Sequence, residues 1–304
     1  MKRVLITGIL GFTGNYLLPH LVEREGPSAT FFGLDIHGQA MAGVEYLSCD
    51  MVDRDAVRRA VVEIRPDEIY HLVGSFTNNY EMDYACNLSA TKNLLDALYE
   101  SGFLRTKILV IGSAAEYGLI HMEDSVTEEA QLVPSDFYGL TKVFQTYLAQ
   151  GYVRWKGLHV VIARPFNIIG KGISNRLFVG HLYEQIQDFR KGRIRSIPLG
   201  ELNGRRDFVD VRDVVAAYAI LMEKGTAGKV YNIGRGELIT MEHLLHLFME
   251  RFGIPRDCVW ETKEDRRDGG SASFKADNGR LRGLGWEPTI DLAMSVRLMY
   301  EAAQ

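Results

Sequence analysis

Residues 137–142 read FYGLTK, and shortly before them residues 112–118 read GSAAEYG. Together they hold groups suited to proton transfer at a carbonyl or hydroxyl: Ser113, Tyr138 and Lys142. On a helix, residues i and i+4 share a face, so the Lys142 ammonium can approach the Tyr138 phenol. A nearby cation favours phenolate and lowers its pKa toward the working range. Ser113 closes the apolar run KILVIGS, which places it at the carboxyl edge of a strand, where it can hold the same substrate oxygen. Spacing alone does not select this pair. The chain has 14 tyrosines, and a second Tyr-x-x-x-Lys, Tyr152–Lys156, sits in YVRWK. Tyr152 lies fourteen residues beyond Tyr138, roughly 21 Å further along a continuous helix. We therefore read Tyr138–Lys142 as the chemical pair and Tyr152–Lys156 as incidental.

These groups need elements that bring them together. RVLITG is a short apolar run rich in β-branched residues, and TGNYLLPHLVERE then shows helical spacing. ATFFGLD and VEYLSCD read as strands, DRDAVRRAVVEIRP as an amphipathic helix ended by Pro66, DEIYHLVG as a strand and NLSATKNLLDALYESG as a helix. KILVIGS is again a strand. FYGLTKVFQTYLAQGYVRWKG is a long helix entered through PSD, with Ser135 or Asp136 as N-cap, and LHVVIARP is a strand. Alternating strands and helices with continuous apolar strands predict an α/β fold, a parallel sheet covered on both faces. Ligands of such sheets bind at the carboxyl ends of the strands.

The first strand runs into TGILGFTG, with Gly8, Gly11 and Gly14 spaced G-x-x-G-x-x-G. Glycines in a strand–loop–helix turn let the backbone approach a pyrophosphate at a helix N-terminus. Asp35 ends the second strand, 27 residues after Gly8. A carboxylate there accepts from both adenosine ribose hydroxyls and repels a 2′-phosphate, which favours NAD over NADP while leaving NADP possible. Asp50, after the third strand, is placed to meet an adenine amino group.

Bulk properties bound the alternatives. The chain has 304 residues, 46% hydrophobic and 24% charged, with net charge −4. That is ordinary globular composition, with no electrostatic signature of a nucleic-acid or membrane partner. Apolar runs are too short to span a bilayer. MKRVLITG enters a strand at once, leaving no room for a signal peptide. Cys49, Cys86 and Cys258 are scattered, which fits a reducing cytosol and a cytoplasmic protein rather than a disulfide framework or a zinc site. The HLLH at 243–246 has no third ligand candidate and reads as surface and packing residues, so no metal is expected.

With these residues in view, the sequence resembles the extended short-chain dehydrogenases/reductases of the nucleotide-sugar type. The matching segments are the three glycines, HLVG at 71–74, Asn87 in NLSAT, Ser113 in GSAAEYG, Tyr138 and Lys142, RPFNIIGKG at 164–172, RRDFVDVRD at 205–213 and NGRLRGLGWEP near the end. The resemblance implies a Rossmann-type doubly wound parallel sheet with a smaller, mostly C-terminal α/β substrate-binding domain. Residues 1–165 would bind NAD(P), with a strand and helix returning from about 206–235, and residues 166–304 would mainly bind the nucleotide sugar. It further implies that the tyrosine is general acid/base, that the lysine tunes it and binds nicotinamide ribose, and that the serine assists. Cofactor contacts would come from Gly8, Gly11, Phe12, Thr13, Gly14, Asp35, Asp50, Met51, Leu72, Val73, Gly74, Asn87, Tyr138, Lys142 and Pro165. Substrate contacts would come from Ser75, Ser113, Ala114, Ala115, Asn167, Arg206 and Arg267, the last three at positions where the family grips the diphosphate. RRDGGSAS departs from the family's usual pattern around Arg267. A homodimer through helices around 81–101 and 137–156 is also implied.

Ala114 and Ala115 discriminate within the family. Its 4,6-dehydratases place an acid and a base immediately after the residue equivalent to Ser113, because eliminating water across C5–C6 needs both. Two methyl groups supply neither, and Glu116, one position further on, is expected to point elsewhere. Local wording is most similar to the reductases of GDP-4-keto-6-deoxy-mannose, so a GDP-hexose is the favoured substrate. A nucleotide-sugar 4-epimerase, toward which Asp35 leans, uses the same three residues and stays open, as does a non-catalytic nucleotide sensor.

Overall fold

A computed structural model describes residues 1–38, 42–118, 125–200, 202–261 and 273–302. Its centre is a sheet of seven strands: β1 (Lys2–Thr7), β2 (Ala29–Asp35), β3 (Val44–Ser48), β4 (Glu68–His71), β5 (Lys107–Ile111), β6 (His159–Pro165) and β7 (Val230–Ile233). The spatial order is β7-β6-β5-β4-β1-β2-β3, and every neighbouring pair is parallel. The chain winds outward from β1 in one direction, then returns to place β4 on its other side. That reversal leaves a crevice beyond the carboxyl ends of β1 and β4.

Both faces of the sheet are covered, and β1 shows why. Val4 and Ile6 point into one apolar cluster with Leu17, Leu21, Val214, Tyr218 and Trp286. Leu5, between them, points into the opposite cluster with Val57, Val61, Leu94, Leu98 and Val160. The period of two along a strand sends alternate residues to opposite faces, so a strand covered twice must be apolar throughout. The covering helices carry the complementary period. Helix Arg54–Ile64 buries Val57, Ala60, Val61 and Ile64, is capped by Asp53, and ends at left-handed Arg65 ahead of Pro66. A third cluster, including Leu182, Ile186, Leu244, Phe248 and Val296, forms in the second half of the chain.

The elements run as the spacing predicts, with instructive differences at their ends. β4 stops at His71 and β5 at Ile111, so Leu72–Ser75 and Ser113 lie just past the strands rather than within them. β3 likewise stops at Ser48, ahead of Asp50. The helix expected from Asn87 is entered earlier, through Tyr80–Asp83 and a π-helical stretch, Tyr84–Ser89, that contains Asn87. Among the described residues, no helix is long and apolar enough to cross a membrane.

Candidate active site

The loop after β1 leads into helix Gly14–Glu25 and is shaped for close approach. Gly8 has φ +69°, and a Cβ on it would meet the Val73 backbone nitrogen at 3.0 Å. A Cβ on Gly14 would stand 2.2 Å from the Ile9 carbonyl oxygen, so no other residue fits there without moving backbone. Gly11 donates its N–H back to the Gly8 carbonyl, and Thr13 precedes the helix without a side-chain cap. Asp35 is tied to this loop. Its Oδ2 accepts from Leu10 N (3.1 Å) and its Oδ1 from Ile36 N (2.9 Å). A tight glycine turn, a helix N-terminus and a carboxylate at the end of β2 suit a dinucleotide. Phe12 faces across to the second half of the chain, its ring 3.3 Å from where a Cβ on Gly170 would sit.

Other expected cofactor residues divide. Asp50 accepts from Val52 N and stays exposed. Met51 is a correction at the side-chain level. It is buried in the core with Leu5 and Phe32, and its carbonyl accepts from Asn93. Leu72, Val73 and Gly74 follow β4, and Pro165 closes β6. Asn87 is fully buried and stitches the site: its Oδ1 accepts from Ser75 N (2.9 Å), while its Nδ2 donates to Ser75 O (3.1 Å) and to Thr141 Oγ1 (2.9 Å).

Ser113 opens the three-residue turn Ala114–Glu116. Its Oγ accepts from Ala115 N (3.2 Å), and its N–H donates to Glu116 Oε1 (2.9 Å), a reciprocal capping box. Helix Phe137–Lys156 starts immediately beside this turn. Asp136 is its N-cap, accepting from Gly139 N (2.7 Å), and a Cβ on Gly139 would lie 2.6 Å from the Ala115 carbonyl oxygen. The glycine thus lets the helix that begins with Tyr138 pack directly on the turn that Ser113 opens. Phe76 lies edge-on against the Tyr138 ring at 4.9 Å.

The electrostatics correct one expectation. Lys142 was expected to hold the Tyr138 phenol toward the working range. Instead, burial pushes the phenol up to about 12, against the Ser113 hydrogen bond, with Glu116, Asp136 and Asp83 adding to the rise. Burial pushes Lys142 down to about 8, opposed by Glu116, Asp83 and Cys86. The Lys142 Nζ lies 5.9 Å from the Tyr138 ring centroid and donates instead to Ile111 O and Gln145 Oε1, both at 3.0 Å. The second pair is elsewhere: Tyr152 hydrogen-bonds Asp96, and Lys156 sits over the Tyr99 ring.

The expected substrate residues are only partly assembled. Ser75 donates to Asp83 Oδ1 (2.6 Å) beside the Tyr138 helix. Ala114 is buried and Ala115 half-buried next to Ser113. Asn167 uses its amide to hold the Asp207 carbonyl (3.1 Å), and Arg206 donates to the Arg205 carbonyl (2.9 Å). Arg267 lies outside the described residues. Two buried residues, Asp83 and Gln145, escaped sequence reasoning, and Glu116 entered it only as a side chain expected to point elsewhere. Glu116 pairs with Arg164, Asp83 gathers Ser75 and Thr77, and Gln145 holds Lys142.

Ser113, Tyr138 and Lys142 thus lie at the carboxyl edge of a Rossmann-like parallel sheet. GDP-6-deoxy-D-mannose reductase of Pseudomonas aeruginosa is 28% identical over 312 residues, covering 97% of this chain and 95% of that protein. Among solved structures, RMD from Pseudomonas aeruginosa complexed with NADPH superposes with a TM-score of 0.85 at 26% identity over the whole of both chains. A putative epimerase from Burkholderia cenocepacia superposes with a TM-score of 0.87 at 28% identity, covering 99% of this chain and 97% of that one. The sequence profile of the NAD dependent epimerase/dehydratase family matches residues 4–234. The chain belongs to that family of enzymes.

Proposed function

We propose that this enzyme reduces the C4 keto group of a nucleotide-linked 4-keto-6-deoxyhexose, with GDP-4-keto-6-deoxy-D-mannose as substrate and GDP-D-rhamnose as product. The observation that carries the reading is the turn at 113–116, packed against the start of the Tyr138 helix: a serine, followed by two methyl side chains and a carboxylate committed to Arg164. Ketone reduction needs one proton donor at the developing alkoxide, whereas dehydration needs a further acid and base. A nicotinamide cofactor, when bound, supplies the hydride to C4. The carbonyl π pair then takes the Tyr138 proton, with Ser113 holding the same oxygen. A phenol near 12 is protonated at working pH, which suits an acid in the reductive direction. The GDP-6-deoxy-D-mannose reductase likeness supports the choice of sugar.

A 4-epimerase is the second reading, favoured by Asp35. A carboxylate at the end of β2 repels a 2′-phosphate and so prefers NAD, which an epimerase retains. Asn167 and Arg206 are the proposed diphosphate contacts. We further propose a homodimer in which Phe137, Phe144, Tyr147 and Trp155, exposed along one helix, meet a second copy.

The test is NADH and NADPH consumption on adding GDP-4-keto-6-deoxy-mannose. Stoichiometric oxidation that disappears in Tyr138→Phe supports the reductase. No oxidation, together with interconversion of UDP- or GDP-hexoses at C4, replaces it with the epimerase.

A further inference from the structure

Lys142 is held by a buried line of hydrogen bonds whose direction can be worked out atom by atom. An ammonium only donates, so the Gln145 atom 3.0 Å from it must be the carbonyl oxygen Oε1. That turns the Gln145 amide nitrogen toward Thr91 Oγ1 at 2.8 Å. Thr91 spends its one hydrogen on the Asn87 carbonyl (2.7 Å). His71 Nε2, 3.0 Å from Thr91 Oγ1, must therefore donate, and its Nδ1 accepts from the Thr7 hydroxyl at 2.8 Å. Burial and the Lys142 charge hold His71 well below the usual imidazole range, at about 3, so it is neutral. Thr7, His71, Thr91 and Gln145 are all fully buried. The line joins the residue before Gly8 to the ammonium of Lys142.

We propose that Gln145 is the positioning residue of Lys142, directing the ammonium toward the cofactor cleft through a neutral amide that adds no charge of its own. Two Lys142 N–H groups go to Ile111 O and Gln145 Oε1. The third has no partner among the described residues. The space beside it is open because residue 74 is glycine, where a Cβ would stand 3.2 Å from Nζ. The ionisable groups around Lys142 leave its charge in place. Glu116 is already paired with Arg164, whereas the buried Asp83 carboxylate takes neutral donors, Ser75 and Thr77, and favours the charged lysine. His71 is neutral, Cys86 belongs to the π-helical stretch, and Tyr138 is a phenol on the same helix. A glutamate at 145 would keep the geometry and cancel the charge. The amide supplies geometry alone.

The inference rests on Lys142 facing the nicotinamide cofactor, and its test needs no sugar. Affinities for NADH and NADPH are measured by calorimetry from about pH 7 to 10 for the wild type, Gln145→Glu and Gln145→Met. Wild-type affinity is expected to fall as pH passes about 8, where Lys142 loses its proton. Gln145→Glu should bind at neutral pH but carry that fall upward by about one unit or more, as an adjacent opposite charge does. Gln145→Met should bind about tenfold to a hundredfold more weakly at pH 7, the effect of losing one hydrogen bond to a charged group. Coincident pH curves for wild type and Gln145→Glu overturn the proposal, as does wild-type affinity in Gln145→Met. If the glutamate variant does not fold, the methionine comparison decides. Loss of the 4-keto-sugar reaction would leave these binding curves unchanged, so the two readings fail separately.

Discussion

Glu116 Oε2 and Arg164 Nη2 lie 2.6 Å apart, with side chains 0% and 1% exposed, directly behind the turn that presents Ser113. Glu116 also accepts from Ser113 N and from the Thr146 hydroxyl, one turn beyond Lys142. Arg164 reaches on to the Tyr117 hydroxyl, which donates to Asn232 Oδ1 in β7. The pair therefore locks the serine turn, the tyrosine–lysine helix and the far strands of the sheet into one register.

Removing one partner strands the other charge in the interior. Arg164→Met should cost about 3–5 kcal/mol by urea denaturation. The double variant Glu116→Gln/Arg164→Met should lose less than Arg164→Met alone, because glutamine still accepts from Ser113 N and no charge is left unpaired. If the double variant is the weaker protein, the ion pair is not what holds the turn.

Ala114 and Ala115 predict an absence of chemistry. Incubated with GDP-mannose and NAD, the enzyme should form no 4-keto-6-deoxy product, read as loss of water by mass spectrometry. Appearance of that product would show that Glu116 or another group reaches C5 and C6, against its commitment to Arg164. Ser113→Ala should lower kcat with the ketone by roughly 10²-fold or more, as loss of a donor at a developing oxyanion does.

The sheet was legible because strands covered on both faces are apolar throughout, as RVLITG and KILVIGS are, and because helix Arg54–Ile64 keeps its apolar spacing between Asp53 and Pro66. Gly8, Gly14, Ser113 and Tyr138 could be placed because each sits at a junction with a local signature. Gln145 and Asp83 could not. Their partners are 54 and 8 residues away in sequence, in Thr91 and Ser75, and nothing local marks a buried amide or carboxylate as useful. Lys142 shows a further limit. Its i,i+4 spacing from Tyr138 puts the two on one face, but not in contact, because the long side chain finds Ile111 O and Gln145 first.

Lys142 should also leave a signature in stability against pH. Its pKa is lowered to about 8 from an ordinary 10.5. Between these values the unfolded chain binds more protons than the native one, so the cost of burying the ammonium is fully present below about 8 and is relieved as pH rises. The stability of wild type minus that of Lys142→Met should be flat near pH 7 and climb between about 8 and 10. Taking the difference cancels the tyrosines and cysteines that titrate in the same window. A difference that stays flat to pH 10 would mean that the ammonium bears no burial penalty.

Helix Phe137–Lys156 carries its chemistry on one face and an apolar stripe on another. Phe137, Phe144, Tyr147 and Trp155 are 51%, 37%, 59% and 77% exposed, at spacings that keep them on one side of the helix. Tyr80 extends the stripe onto the short helix Tyr80–Asp83, its ring 5.5 Å from Phe137 and 5.6 Å from Tyr84. A run of large rings in water is unfavourable unless covered, and a two-fold axis lets one such stripe cover another. Light scattering should give twice the chain mass for the wild type and the single-chain mass for Tyr147→Glu, which places a carboxylate in each half of the contact. Because Tyr138 starts the same helix, separating the subunits should also lower kcat by loosening the turn against Ser113. A wild type that runs as a monomer at micromolar concentration would remove the second copy as the occupant of this face.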